Sequence, residues 1–578
     1  MTTRDEKRED EVTVMETPYD WLRRGAERAP AAPAVATWRD GARGDWTSVG
    51  ELCRAVDETA AGLLGQGVRP GDRVLLALPN DRSFPEALLA CVAVGAIAVP
   101  APCPAVARTD AFRERLAGIT RDAAPVLVVT EADWHPRIAE ALPPGGGVAL
   151  TSPAELRVPD AGPAPGTVAP DGVALLQYTS GSTGRARGVV VTHRALRASC
   201  AQAARVYREG PADLGVTWVP LYHDMGLITG LMRPLYAGYP TVLLRPDDFA
   251  RSPLSWLSAL ASCGGTLSSA PNFAFELCVR KVPGDRVAEL DLSGWRVARN
   301  AGEMVRAETA DRFARHFAAA GFRATAMCPS YGLAEATLAV TASGPDTPPL
   351  RLSVLDAPLE RGEVVPAPAG TAPAAARELL SSGVPVPDTE VLVGDGTPGR
   401  VGPVAVRGPQ LAPGRWAEAA ALAGPDGWYR TSDLGFLHDG HLFVLGRADD
   451  TLVLNGRNHF LSDVVAACAR LPGVRPGRLA PFLTRDAATG LAVAGVVAEL
   501  PAGQPEPTVA ELNRLARTVK RRLVEALELF VSRVVFVPAG TLPVTTSGKV
   551  RAAEVRRRFE AGTLPLVRGR DQETSPVR

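Results

Sequence analysis

From about residue 50 to residue 330, short β-branched runs alternate with longer amphipathic or alanine-rich segments. Parallel strands cannot be joined by a tight turn and need a crossover of a dozen or more residues, so this alternation marks repeated βα units. It predicts an α/β fold resting on largely parallel sheets. Strands are predicted over 73–78, 126–130, 173–179, 189–192, 217–220 and 241–244, and helices over 49–64, 111–122, 194–207, 254–262 and 307–320. The longest apolar run, ALLACVAVGAIAVPAP over 87–102, is broken by Gly95 and Pro100. It falls short of the roughly 20 residues that a spanning helix needs, and it reads as a buried helix followed by a strand.

Composition narrows the function classes. Lys+Arg and Asp+Glu both total 63, so the chain has no net charge, and no whole-chain attraction for nucleic acid or anionic lipid is predicted. Hydrophobic residues make up 46% of the 578, which is ordinary for a soluble enzyme and excludes disordered and fibrous classes. At roughly 100 to 200 residues per domain, this length predicts three or four structural units. The opening MTTRDEKREDEV alternates charges and has no apolar core, so it does not read as a signal peptide. Eight cysteines are scattered without a CxxC pair. They read as reduced, buried thiols of a cytoplasmic protein.

Three stretches lack periodicity: 143–170, a predicted surface connection, 344–376, which fits an inserted segment or a plain long loop, and 409–426, which reads as loop. Past residue 446 the pattern changes to a smaller α+β arrangement. Helices are predicted near 462–471 and 509–527, and strands near 481–484, 493–499 and 534–537. The domains are therefore drawn as 1–446 and 447–578.

The sharpest chemical signal is LLQYTSGSTGRARG over 175–188, between two strand-like runs. Its spacing is neither that of a Walker loop nor that of a dinucleotide fold. Gly181, Gly184 and Gly188 let backbone N–H groups approach an anion, Thr179, Ser180, Ser182 and Thr183 add hydroxyls, and Arg187 adds charge. A flexible hairpin turn would carry the same composition.

The residue order goes further. YTSGSTG followed by a basic residue and Gly-Val resembles the phosphate loop of the adenylate-forming, AMP-binding superfamily of acyl and aryl ligases. Other stretches follow in that family's order: NAGE at 300–303, YGLAEAT at 331–337, WYRTSD at 428–433, GRAD at 446–449 and LPVTTSGK at 542–549. Within the superfamily, WVPLYHDMGLI at 218–228, APNFAFELCVR at 270–280, LSGWRV at 292–297 and GRNHF at 456–460 are most similar to the fatty acyl-AMP ligases. Those enzymes make acyl adenylates and pass the acyl group to carrier proteins rather than to free coenzyme A. They carry an insertion where 344–376 lies.

The resemblance implies a large N-terminal domain of several subdomains with parallel sheets, and a small mobile C-terminal domain. It implies ATP and Mg²⁺ as cofactors, with a fatty acid and a holo acyl carrier protein as partners. It also implies that Thr179 to Gly184 and Arg187 hold phosphates, and that Asn300, Ala301, Gly302, Glu303, Ser330, Tyr331 and Gly332 surround the adenine. Glu335 would be the Mg²⁺ carboxylate, Asp433 would accept the ribose hydroxyls, and Arg447 would support the ribose.

Lys549 would bridge the attacking carboxylate and the α-phosphate, and Asp449 would be the hinge. Only four lysines stand against 59 arginines, so a lysine inside a Ser-Gly loop suggests a site where a planar guanidinium would not serve. His223 would close over the substrate carboxylate, with a hydrogen-bonded structural histidine as the alternative. Leu227, Ile228, Leu231, Met232 and Phe273 fit an acyl tunnel and ordinary core equally well. The chain departs from the family pattern at Ala186-Arg187 for Pro-Lys, at Ser432 for Gly, at the inverted Ala301-Gly302, and at Leu461 and Val465 for Pro and Glu. An acyl-CoA synthetase and an inactive nucleotide-binding or acyl-binding scaffold are the competing functions.

Overall fold

The computed structural model describes residues 16–104, 109–143, 148–166, 171–178, 186–372, 375–448, 451–454, 457–469, 471–485, 492–527, 529–544 and 550–568. Six strands form one sheet in the order Ala149–Thr151, Leu127–Thr130, Arg73–Ala77, Ile97–Pro100, Val173–Tyr178 and Gly188–Thr192. Neighbours are parallel except the last two, which pair antiparallel and end with Tyr178 opposite Gly188. Helix Ser83–Ala93 is buried from Phe84 through Ala93, apolar but for Glu86, whose charge is met by Arg82 and Arg157. The run at 87–102 is thus a buried helix, a turn at Gly95 (φ +74°) and a strand.

The second sheet has ten strands. Its central members are parallel: Met327–Gly332, Val297–Asn300, Leu267–Ala270, Gly215–Thr217, Thr241–Leu244 and Pro33–Arg39. Antiparallel strands close both ends. Pro33–Arg39 lies outside the alternating region of the sequence, and its partner Thr241–Leu244 comes much later in the chain. Beside this sheet, Trp218, Phe249, Trp256, Phe275, Trp295, Phe313 and Phe317 form an aromatic core. The indole N–H groups of Trp256 (Ser268 Oγ, 2.9 Å) and Trp295 (Val297 O, 2.9 Å) are buried with partners, whereas that of Trp218 is buried without one among the described residues.

A four-stranded antiparallel sheet follows, with strands Glu390–Val393, Gly402–Arg407, Tyr429–His438 and His441–Arg447. The last strand runs one residue past Gly446. The stretch 344–376 is more ordered than its composition predicts. It holds strand Arg351–Leu355 and helix Asp356–Glu360, and the strand pairs antiparallel with Ala376–Leu380. Its regular register is set by a partner strand at the far end of the segment, which local periodicity does not reveal. The predicted helix 307–320 ends at His316 and continues as a 3₁₀ turn to Ala320, where Gly321 (φ +81°) reverses the chain.

Toward the C-terminus, strands Leu479–Arg485, Ala492–Glu499 and Val531–Val537 form a small sheet. Helices Leu461–Cys468 and Val509–Leu527 pack on it through Val464, Cys468, Val519 and Leu523. Asp463, on the first of these helices, meets Arg377 and Arg306 (3.5 Å), and Arg306 Nη2 also donates to Ser462 O at 2.5 Å. These ion pairs seat the C-terminal segment against the larger part of the molecule.

Candidate active site

Tyr178 and Gly188 clamp the two ends of the glycine-rich loop. Asp122 Oδ2 accepts from the Tyr178 hydroxyl (2.7 Å) and from the Gly188 N–H (3.2 Å). A Cβ on Gly188 would lie 2.9 Å from the Tyr178 ring, so glycine is needed there for contact rather than for backbone freedom. A further segment docks on the outer strand: Trp416 N donates to Gly188 O (2.7 Å) and Val190 N to Gly414 O (3.1 Å). Arg187, at the loop's exit, is exposed and pairs with Glu418 at 3.6 Å. Thr179, Ser180, Gly181, Ser182, Thr183 and Gly184 lie outside the described residues, as do Asp449 and Lys549.

Segment 219–226 is fixed from below by buried amides. Asn80 donates to Val219 O (2.9 Å) and Leu244 O (3.1 Å) and accepts from Leu221 N (2.9 Å), while Gln177 donates to Tyr222 O (2.9 Å). A Cβ at Gly226 would fall 2.2 Å from Pro220 O, so only glycine lets the chain fold back here. His223 stands at the start of the short helix Asp224–Leu227. Burial and then the Arg115 charge lower its imidazole to about 3, so it is neutral near pH 7. Burial raises Asp224 to about 6, with Glu335 adding to the shift.

Asn300, Ala301, Gly302 and Glu303 follow the end of the strand Val297–Asn300. Asn300 is fully buried and donates to Asn272 Oδ1 (3.2 Å), which also accepts from Arg306 N at 3.2 Å. Gly302 (φ +80°) faces Met225, whose Cε would lie 3.9 Å from an added Cβ, so this turn abuts the His223 segment. The Glu303 carboxylate accepts from the Phe273 N–H, at the start of helix Asn272–Lys281.

Ser330, Tyr331 and Gly332 end the strand Met327–Gly332. The Tyr331 hydroxyl donates to Asp433 Oδ2 at 2.5 Å. Burial, and then Asp433, raises the Tyr331 pKa well above the ordinary phenol value, so the proton stays on the tyrosine. Asp433 sits opposite Arg447 in the strand register. Arg447 Nε lies 3.7 Å from Asp433 Oδ1, and its Nη2 donates to Ser432 Oγ at 2.6 Å. Ser432 is thus a second anchor for Arg447.

Glu335 occupies the 3₁₀ turn Ala334–Ala336, and Arg415 Nη2 lies 3.1 Å from its Oε1. Tyr429 is raised by burial first and then by Glu335. Among the described residues no group of three or more His, Cys, Asp or Glu could hold a metal by itself. A single part-buried carboxylate without a protein cage is a donor set that suits Mg²⁺, which is usually held by one or two carboxylates together with substrate phosphates.

The structure does not gather the five acyl-pocket residues into one lining. Leu227, Ile228, Leu231 and Met232 are buried in one core cluster, the last three within a π-helical turn over Ile228–Met232. Phe273 is exposed and sits edge-on to Trp218, beside the other cluster (6.3 Å). Sequence reasoning missed Asn80, Gln177, Arg115, Tyr429 and Arg415. The first two act through side-chain hydrogen bonds to distant backbone, partners that no local pattern encodes even for Gln177 inside the 175–188 motif, and Arg415 lies in the loop-like stretch 409–426.

A family model for AMP-binding enzymes matches residues 22–416. The chain is 31% identical to the medium-chain-fatty-acid–acyl-carrier-protein ligase JamA of Moorena producens (strain JHB), covering 90% of this chain and 92% of that protein. It is 34% identical to the long-chain-fatty-acid–AMP ligase FadD26 of Mycobacterium marinum, covering 89% and 91%. A structure from a study of fatty acyl-adenylate ligases from E. coli and L. pneumophila superposes with a TM-score of 0.85 at 29% identity, covering 94% and 98%. The L. pneumophila enzyme in complex with acyl adenylate and pyrophosphate superposes at 0.71 with 28% identity, covering 95% and 97%. The chain therefore belongs to the AMP-binding enzymes, a family of adenylate-forming ligases that use ATP, and within it to the fatty acyl-AMP ligases. No helix among the described residues is long and apolar enough to cross a membrane.

Proposed function

We propose that this chain activates a fatty acid with ATP and hands the acyl group to the phosphopantetheine thiol of an acyl carrier protein. In the first step a carboxylate oxygen bonds to the α-phosphorus, the α–β phosphoanhydride bond breaks, and pyrophosphate leaves. In the second the thiol attacks the acyl carbon, AMP leaves, and the thiol proton passes to solvent. The observation that carries the reading is the junction of Tyr331, Asp433 and Arg447. An aromatic face, a two-oxygen acceptor and a cation, drawn from separate strands, meet there.

In this reading the loop amides and Arg187 bind the β and γ phosphates, and Asn300, Ala301 and Gly302 border the adenine beside Tyr331. Glu303 acts one step back, through the backbone of Phe273. Neutral His223 supplies an N–H without adding charge beside the fatty carboxylate. Glu335 would hold Mg²⁺, which when bound neutralises phosphate oxygens. Residues from 447 onward form the small domain that presents Lys549 and turns about Asp449. Lys549 puts a compact positive charge between the two reacting anions. Eight cysteines free of disulfides support cytoplasmic placement.

Purified protein with ATP, Mg²⁺ and a mixed fatty-acid pool should yield acyl-AMP, followed by the acylated form of a holo carrier protein in preference to acyl-CoA when both acceptors compete, read by mass spectrometry. Efficient acyl-CoA formation would overturn the carrier assignment. Lys549→Ala should lower adenylation by about 10²-fold or more, the usual loss when a charge aimed at the transition state is removed. An unchanged rate would retire the lysine's role.

A further inference from the structure

Beyond the roles already assigned, Arg415 stands at Glu335 with a geometry of its own. The guanidinium Nη2 is 3.1 Å from Glu335 Oε1, and the two side chains are 26% and 15% exposed. The cation that faces this part-buried carboxylate is therefore one the protein itself supplies.

The backbone of Arg415 is fixed. Gly414 O accepts from Val190 N (3.1 Å), Trp416 N donates to Gly188 O (2.7 Å), and Val189 and Arg415 form an isolated antiparallel bridge. Trp416 is seated further by Arg73, whose guanidinium lies 5.7 Å from its ring centroid. Glu335 is tied to the same segment, because its carbonyl accepts from Ala412 N at 2.9 Å. Arg415 is therefore anchored beside the exit of the phosphate loop, and only its long side chain is free to change partner. A cation that a carboxylate holds at one moment and phosphate oxygens can hold at another is a natural exchange element, since guanidinium binds both anions well.

We propose that Arg415 is a built-in counter-ion that occupies Glu335 until nucleotide arrives. It then moves onto the phosphates and releases the carboxylate to the divalent metal. The inference rests on Glu335 being the metal carboxylate. It makes metal binding conditional on nucleotide, so that the free enzyme holds divalent cations weakly.

The test uses Mn²⁺ alone as the probe, read by EPR on the nucleotide-free full chain. Arg415→Met should bind Mn²⁺ at least about fivefold more tightly than wild type, and its KM for ATP should rise about tenfold, the loss expected for one charge-assisted contact. Arg415→Lys, which keeps the charge, should bind Mn²⁺ as wild type does. If Arg415→Met melts early, Arg415→Gln carries the same comparison. The proposal is overturned if the uncharged variants bind Mn²⁺ no more tightly than wild type. Adding Glu335→Gln to Arg415→Met should abolish the gained Mn²⁺ binding. If that double variant still binds, the metal role of Glu335 itself is wrong, whereas loss of binding by Glu335→Gln without any gain in Arg415→Met refutes the exchange alone.

Discussion

Asp433 ties three strands together, since Tyr331 and Arg447 both address its oxygens, and in the proposed function it accepts the ribose hydroxyls of ATP. Asp433→Asn replaces one acceptor oxygen by a donor. At about 1.5–3 kcal/mol for a hydrogen bond to a charged group, the KM for ATP should rise roughly 10- to 100-fold with the melting temperature little changed. Ser432→Gly removes only the second anchor of Arg447, and its effect should stay within about fivefold, as for a part-exposed contact. A second residue-scale prediction concerns pH. His193 is buried, and burial lowers its imidazole from 6.5 to about 4. Between those values the unfolded chain binds a proton that the native chain does not, so this contribution is complete above pH 6.5 and is lost as the pH falls toward 4. Near pH 5.5 the loss is about 1.4 kcal/mol, and His193→Gln should flatten that part of a stability–pH curve measured by denaturant unfolding.

At the scale of elements, the segment carrying His223 is rigid because groups outside it hold it. Asn80→Ala would strand two carbonyls and one N–H that it now pairs. At about 1 kcal/mol per bond, and more where a buried partner is left bare, a loss of roughly 2–4 kcal/mol in unfolding free energy is predicted. Gly226→Ala meets a backbone oxygen rather than a flexible side chain, so it should cost at least about 1–3 kcal/mol and lower adenylation by displacing His223. Farther from the site, Glu209 joins helix Arg233–Ala237 to strand Val297–Asn300. It pairs with Arg233 and Arg299, and all three side chains are at most 4% exposed. Both arginines also lie about one ring's reach from Tyr207, at 5.0 and 4.8 Å from its centroid. Glu209→Ala leaves two buried cations without a carboxylate and should destabilise by about 3–5 kcal/mol, measured by the urea midpoint.

For the whole molecule, the zero net charge is a sum of unlike parts. Residues 1–446 carry 43 Lys+Arg against 50 Asp+Glu, and residues 447–578 carry 20 against 13. The two parts attract, and Asp463 with Arg306 and Arg377 is where that attraction becomes local contact. Asp463→Ala leaves two part-buried guanidinium groups facing each other. It should loosen the seat of the C-terminal segment, visible as faster limited proteolysis near 447–460, with a salt dependence weaker than that of the wild type. A rate unchanged by the substitution and by salt would show that packing, not charge, holds the segment.

The sequence by itself determined the α/β class, most elements with their type, and, through the order of its motifs, membership of the fatty acyl-AMP ligases. These follow from period, from glycine and hydroxyl placement and from motif order, all of which are local along the chain. Only the tertiary structure decided what depends on contacts between distant residues. It gave strand Pro33–Arg39 a partner at Thr241–Leu244 and turned 344–376 from an irregular stretch into a paired strand and a helix. It assigned Leu227, Ile228, Leu231 and Met232 to a core apart from Phe273, and it brought Arg415 to Glu335. Burial and charge pairing are properties of neighbours in space, and no pattern along one segment encodes which neighbours those will be.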